Sequence, residues 1–112
     1  MADLFVYGTL TDPEVLRRAA GRIFAAEPAV LDGFRRIEEP GCYPFIEPSP
    51  GDRVTGLLLR GIDATALGRL DDYEDEGRLY FRHKVRVEVG SRLIDCETYV
   101  GDPGAVRAAG RD

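Results

Sequence analysis

Leu4-Phe5-Val6-Tyr7-Gly8-Thr9-Leu10 opens as an apolar strand and stops at a glycine and small polar residues. An apolar run without alternation suits a strand buried on both faces. Its abrupt end turns the backbone toward something. Gly8 can adopt positive φ and lets another group approach the main chain, while the Thr9 hydroxyl and the successive amides of Gly8, Thr9 and Leu10 offer donors to an anion or carbonyl. On these residues alone, the plainer reading is a tight turn leaving the first strand.

Outward from this turn, Asp12-Pro13 reads as a helix cap and first-turn proline, opening a short helix to about Ala20 that Gly21 closes. Val30 to Ile37 is a strand interrupted at Gly33. Glu39 to Asp52, with four prolines and two glycines, reads as a loop. Val54 to Arg60 is apolar on both faces, which predicts a central strand. Asp63 caps a second helix running to about Tyr73. Two more strands, Tyr80 to Val89 and Leu93 to Val100, form a hairpin through Gly90-Ser91, with His83, Val85, Val87 and Val89 on one face. The tail from Gly101 to Asp112 is expected to fray. Strands outnumber helices, so the fold class is α+β: a compact, mixed, partly closed sheet with short flanking helices.

The chain has 112 residues, room for one domain over 1–112. A net charge of −5 with scattered basic residues argues against a nucleic-acid partner. Asp3 stands where a secretory signal carries basic residues, and no apolar run approaches the ~18 residues of a membrane span. A cytoplasmic protein without a membrane partner is therefore expected. Cys42 and Cys96 are too few for a disulfide framework, so both are expected as thiols, with Cys96 simply packing.

His83 is the single histidine. This leaves little room for a Ser-His-Asp triad or a histidine metal site, and its place on an apolar face predicts a packed core histidine. No phosphate-loop or dinucleotide glycine pattern occurs, which disfavours nucleotide cofactors. Chemistry then falls to carboxylates, hydroxyls and backbone amides. Within Asp71-Asp72-Tyr73-Glu74-Asp75-Glu76, Glu74 follows Leu67 and Leu70 at i+7 and i+4, on the helix face that packs against the sheet. Burial, the neighbouring acids and the helix C-terminus should all raise its pKa toward a range useful for proton transfer. Glu74 is thus the general acid-base candidate, Asp71 and Glu76 are weaker ones, and Asp72 and Asp75 are expected in solvent.

Val6-Tyr7-Gly8-Thr9-Leu10, Tyr43-Pro44, Val54-x-Gly56 and Leu70-Asp71-Asp72-Tyr73-Glu74-Asp75 followed by Tyr80-x-Arg82 occur in one order. Together they resemble the γ-glutamylcyclotransferase-like superfamily, in particular its small branch of γ-glutamylamine cyclotransferase and AIG2-like proteins. The resemblance implies a barrel-like sheet in which the Tyr7–Leu10 loop faces Glu74. It also implies release of 5-oxoproline from a small-molecule γ-glutamyl substrate, with no metal or organic cofactor. Two features depart from the family pattern and bear on the substrate: Thr11 stands where many relatives have a basic residue, and the tail is short.

In such a reaction the substrate's α-amine attacks its own γ-carbonyl. The loop amides, aided by the following helix N-terminus, would hold the α-carboxylate, Tyr7 would wall the pocket, and Glu74 would move the proton. Tyr43 and Tyr99 are further lining candidates, against a loop anchor and a strand tyrosine with a bonded hydroxyl as the alternatives. Arg82 reads first as a cross-strand ion-pair partner, and Asp63 as a helix cap. The rival functions are hydrolysis or acyl transfer on a related amide, and a non-catalytic binding module on the same fold.

Overall fold

In the computed structural model, which describes residues 1–110, the apolar run lies in β1 (Ala2–Val6) and is buried on both faces. A short 3-10 turn (Thr9–Thr11) and α1 (Pro13–Ala20) follow. The chain then continues through β2 (Ala26–Ile37), β3 (Phe45–Ile62), α2 (Ala64–Glu74), β4 (Tyr80–Val89), β5 (Arg92–Gly101) and α3 (Pro103–Gly110). The strands close into a barrel in the order β1-β3-β2-β4-β5. Neighbours are antiparallel except β1 and β5, which pair in parallel at Leu4↔Glu97 and Phe5↔Thr98. A second thin seam joins β2 to β4 at Val30↔Glu88. No helix among the described residues is long and apolar enough to cross a membrane.

Two hydrophobic clusters follow from the alternation along these strands. Phe5, Leu31, Ile46, Leu58 and Val87 belong to a cluster of strand residues and the adjoining Tyr7. Leu4, Val6, Leu59 and Tyr99 point the other way, against Leu16, Leu70 and Val106 of the three helices. The ends of α1 and the start of α2 are set by identifiable chemistry. The Asp12 and Asp63 carboxylates accept from Glu14 N and Ala66 N at 2.9 and 2.8 Å, and Gly21 closes α1 at φ 91°. β3 pairs with both β1 and β2, the central position expected of it.

Several expectations are corrected. The stretch Glu39 to Asp52 is not all loop, because β3 already begins at Phe45, whose side chain is fully buried. Pro40 and Pro44 precede β3, and Pro50 fits because the β2-β3 register shifts between Asp32↔Arg53 and Phe34↔Pro48, leaving the intervening β3 residues out of the ladder. Gly33, at φ 84°, sits at that shift on β2, which starts at Ala26, ahead of the expected Val30. His83 is exposed. It shares a face with Val87 and Val89, which are buried near the β2-β4 ladder position at Glu88, but lies toward the other end of the strand. The tail forms α3 instead of fraying: Asp102 accepts from Gly104 N and Ala105 N, Val106 is fully buried and Arg107 pairs with Glu39. Positions 111 and 112 of the expected tail lie outside the described residues. Cys42 and Cys96 are both free, and Cys96 is buried.

Gly56 marks the tightest approach in the barrel. A Cβ there would collide with the Val6 carbonyl oxygen and come within 2.9 Å of the Phe5 ring. Gly56→Ala is expected to lower unfolding free energy by at least ~2 kcal/mol, as overpacking of a core does. Urea denaturation measures this, and an unchanged midpoint would show that β1 can move away from β3.

Candidate active site

A cavity of about 530 Å³ opens between the turn after β1, the end of α2 and the segment before β3. Its size is that of a small-molecule site. Glu74, Tyr7, Gly8, Thr9, Leu10, Tyr43 and Tyr99, the residues singled out from the sequence, all line it. They arrive from four separate parts of the chain.

The turn is shaped by hydrogen bonds to its carbonyls. Thr11 N and its hydroxyl donate to Gly8 O at 3.1 and 2.7 Å, Asp12 N donates to Thr9 O at 3.1 Å, and Arg36 Nη1 donates to Tyr7 O at 2.6 Å. The amides of Gly8, Thr9 and Leu10 make no backbone hydrogen bond outside regular elements among the described residues. They remain donors. The positive φ expected of Gly8 is not used: its φ is −118°, and the 3-10 turn redirects the chain instead. A Cβ on Gly8 would meet nothing within 4 Å. The N-terminus of α1 is capped by the Asp12 carboxylate, so the expected help of that helix in holding an anion is opposed by its own cap.

Glu74 is the last residue of α2, one turn beyond the fully buried Leu70. Burial raises its carboxyl pKa from 4.5 to about 7. The neighbouring acids do not contribute as expected. Asp71 is paired with Arg82, Asp75 with Arg78, and Asp72 is exposed, so their charges are compensated or screened. Asp75 also closes the helix from a left-handed conformation at φ 53°, its amide directed to the carbonyls of Asp71 and Asp72. Asp72 and Asp75 both reach the cavity rim, whereas Asp71 and Glu76 do not line it.

Three tyrosines surround the carboxyl, each with its proton assigned. Tyr7 donates to Tyr99 O at 2.6 Å, Tyr80 to Pro44 O at 2.7 Å, and Tyr99 to Asp71 Oδ1 at 2.6 Å. Burial raises the pKa of all three phenols and the Glu74 charge adds to each, while for Tyr99 the bond to Asp71 ranks next after burial. Arg82 stands outside the cavity wall and bridges Asp71 and Glu97 across β4 and β5. Tyr43 is 57% exposed at the mouth.

Sequence reasoning missed Tyr80 and Tyr73 as lining residues. Tyr80 stood in the order of motifs only as a spacer for Arg82, and what buries it is the far-away Pro44 segment. Tyr73 was read as the end of a helix, yet its hydroxyl lies 2.8 Å from Thr9 Oγ1 and ties α2 to the turn.

A carboxyl whose pKa rises on folding works against the fold when ionised. Stability is full below the unfolded-state value of 4.5 and falls as the pH climbs toward about 7, by up to ~3 kcal/mol, above which it levels off. Glu74→Gln should remove this decline. Its melting temperature should match the parent near pH 4.5 and exceed it at pH 8; parallel pH curves for the two proteins would contradict the buried-carboxyl assignment.

Residues 4–111 match the family model described as gamma-glutamyl cyclotransferase, AIG2-like. The chain is 41% identical over 101 residues to AIG2-like protein C of Arabidopsis thaliana, an alignment covering 88% of this chain and 58% of that protein. It therefore spans less than two thirds of that relative's length. The solution structure of an Arabidopsis thaliana protein superposes with a TM-score of 0.80 at 31% identity, covering 93% of this chain and 73% of that one. The crystal structure of an AIG2-like protein from Mus musculus has a TM-score of 0.73 at 25% identity, over 94% and 82% of the two chains.

Proposed function

Because the chain belongs to the gamma-glutamyl cyclotransferase, AIG2-like family, we propose that it converts a γ-glutamyl amine, or another small γ-glutamyl compound, to 5-oxoproline and the free amine. The observation that carries this reading is one cavity holding both Glu74, with a pKa of about 7, and the uncommitted amides of Gly8, Thr9 and Leu10. A base near neutrality and an anion-binding loop are what the reaction asks of the protein.

The nucleophile belongs to the substrate. Its α-amine attacks the γ-carbonyl, a C–N bond forms to close the five-membered lactam, and the original amide C–N bond breaks. Holding the chain folded for this attack gives an effective molarity on the order of 10⁵ M or more. The loop amides bind the α-carboxylate and set the fold of the substrate. Glu74, as carboxylate, takes one proton from the α-ammonium nitrogen before attack and a second from the ring nitrogen as it forms, and passes each in turn to the leaving nitrogen, which departs as an ammonium, a role worth ~10²–10⁴-fold. With a pKa near neutrality, one carboxyl serves in both directions at physiological pH.

Incubation with a panel of γ-glutamyl amines and peptides should yield 5-oxoproline by mass spectrometry, with kcat/KM rising through about pH 7 as Glu74 ionises. Glu74→Gln should lower kcat by ~10²–10⁴-fold. Free glutamate as the product would mean hydrolysis instead, and undiminished turnover by the variant would remove Glu74 from the mechanism.

A further inference from the structure

Among the described residues, no lysine, arginine or histidine lines the cavity. Its buried hydroxyls are equally one-sided. The protons of Tyr80 and Tyr99 are held by groups that only accept: the Pro44 carbonyl and the carboxylate of Asp71 paired with Arg82. Tyr80 and Tyr99 are 6% and 3% exposed, and the acceptors of their protons belong to the fold and not to a ligand. A phenol has one proton and two lone pairs. With the proton committed, all that either oxygen can offer a ligand is a lone pair. Tyr7 differs, since the Ile46 amide also faces its hydroxyl and leaves it less to offer a ligand.

The polar groups of the cavity are consequently of two kinds. Donors are the amides of Gly8, Thr9 and Leu10, joined by the Thr9 and Tyr73 hydroxyls, which share one hydrogen bond and leave a proton over. Acceptors gather around Glu74, with Tyr80 and Tyr99 close enough to feel its charge and the carboxylates of Asp72 and Asp75 at the rim. An α-amino acid head presents the matching pair, a carboxylate that only accepts and an ammonium that only donates.

We infer that Tyr80 and Tyr99 are specificity residues that accept hydrogen bonds from the substrate's α-ammonium beside Glu74, and that Asp71 is the positioning residue that keeps the Tyr99 proton out of the cavity. Asp71 is suited to this because Arg82 holds it from β4 through contacts of 2.8 and 3.2 Å, and Glu97 holds Arg82 from β5 at 3.1 Å. The orientation of one hydroxyl is thus set by a chain of charges anchored in two strands. The inference rests on the cyclotransferase reading for the identity of the head group, yet it can be tested on binding alone.

The test compares L-glutamine with glutaramate, the same molecule without the α-ammonium, by NMR titration of the parent, Tyr99→Phe and Asp71→Ala. The readout is the ratio of the two affinities. A structural role for either residue would weaken both ligands alike and leave the ratio unmoved. The parent should favour L-glutamine by at least ~10-fold, and Tyr99→Phe should reduce the ratio several-fold while preserving glutaramate binding. In Asp71→Ala, Tyr99 regains a proton to donate, so the ratio should fall as well. Tyr99→Phe is nearly isosteric and decides the matter should Asp71→Ala fail to fold. Equal affinities for the two ligands in the parent, or an unchanged ratio in Tyr99→Phe, would overturn the inference. Measuring 5-oxoproline in the same samples separates the two claims: ammonium selectivity without product defeats only the cyclisation, and product with an unmoved ratio defeats only the role given to the tyrosines.

Discussion

Two side-chain hydrogen bonds brace the seam on which the rest of the molecule depends. β1 and β5 meet in parallel at only two ladder positions, yet Thr98 Oγ1 donates to Phe5 O at 2.9 Å and Tyr7 donates to Tyr99 O at 2.6 Å. Thr98 is fully buried, so leaving its hydroxyl or the Phe5 carbonyl unpaired would cost on the order of 1–3 kcal/mol. The bonds run in opposite directions, β5 to β1 and β1 to β5. They fix the end of β1 beside Tyr99, and so aim the donor turn after Tyr7 at the cavity.

The other half of the site is carried by α2, whose placement is a matter of apolar packing. Leu70 is fully buried among residues of the strands and of the other helices, and that burial draws Glu74 inward with it. The helix face is therefore under two demands. Its apolar residues favour contact with the sheet, whereas its final carboxyl is destabilised there once ionised. A site that opposes stability locally is common where proton transfer needs a perturbed group.

The central architecture was legible because β1 and β3 read as apolar on both faces and the caps Asp12, Gly21 and Asp63 bound the helices with side chains local to them. Glu74 was legible through its spacing from Leu67 and Leu70, a property of one helix. What could not be read depends on pairing between distant segments. Pro50 is compatible with β3 through a register shift against β2, and His83 is exposed toward the end of β4 away from its ladder position with β2. The tail becomes helical by burying Val106 and pairing Arg107 with Glu39, 68 residues away. The same limit hid Tyr80, whose hydroxyl finds its acceptor at Pro44, 36 residues earlier.

The acceptors around Glu74 also bear on how a catalytic cycle ends. In the proposed reaction the α-nitrogen enters as an ammonium with three N–H bonds and a full charge, and leaves as a neutral lactam nitrogen with a single N–H. Glu74, Tyr80 and Tyr99 keep their oxygens where they were, since the fold and not the ligand orients them. Ring closure thus strips the bound molecule of the charge by which these acceptors held it. In that proposed reaction, product and substrate would compete unequally for the same cavity, without any part of the barrel having to open.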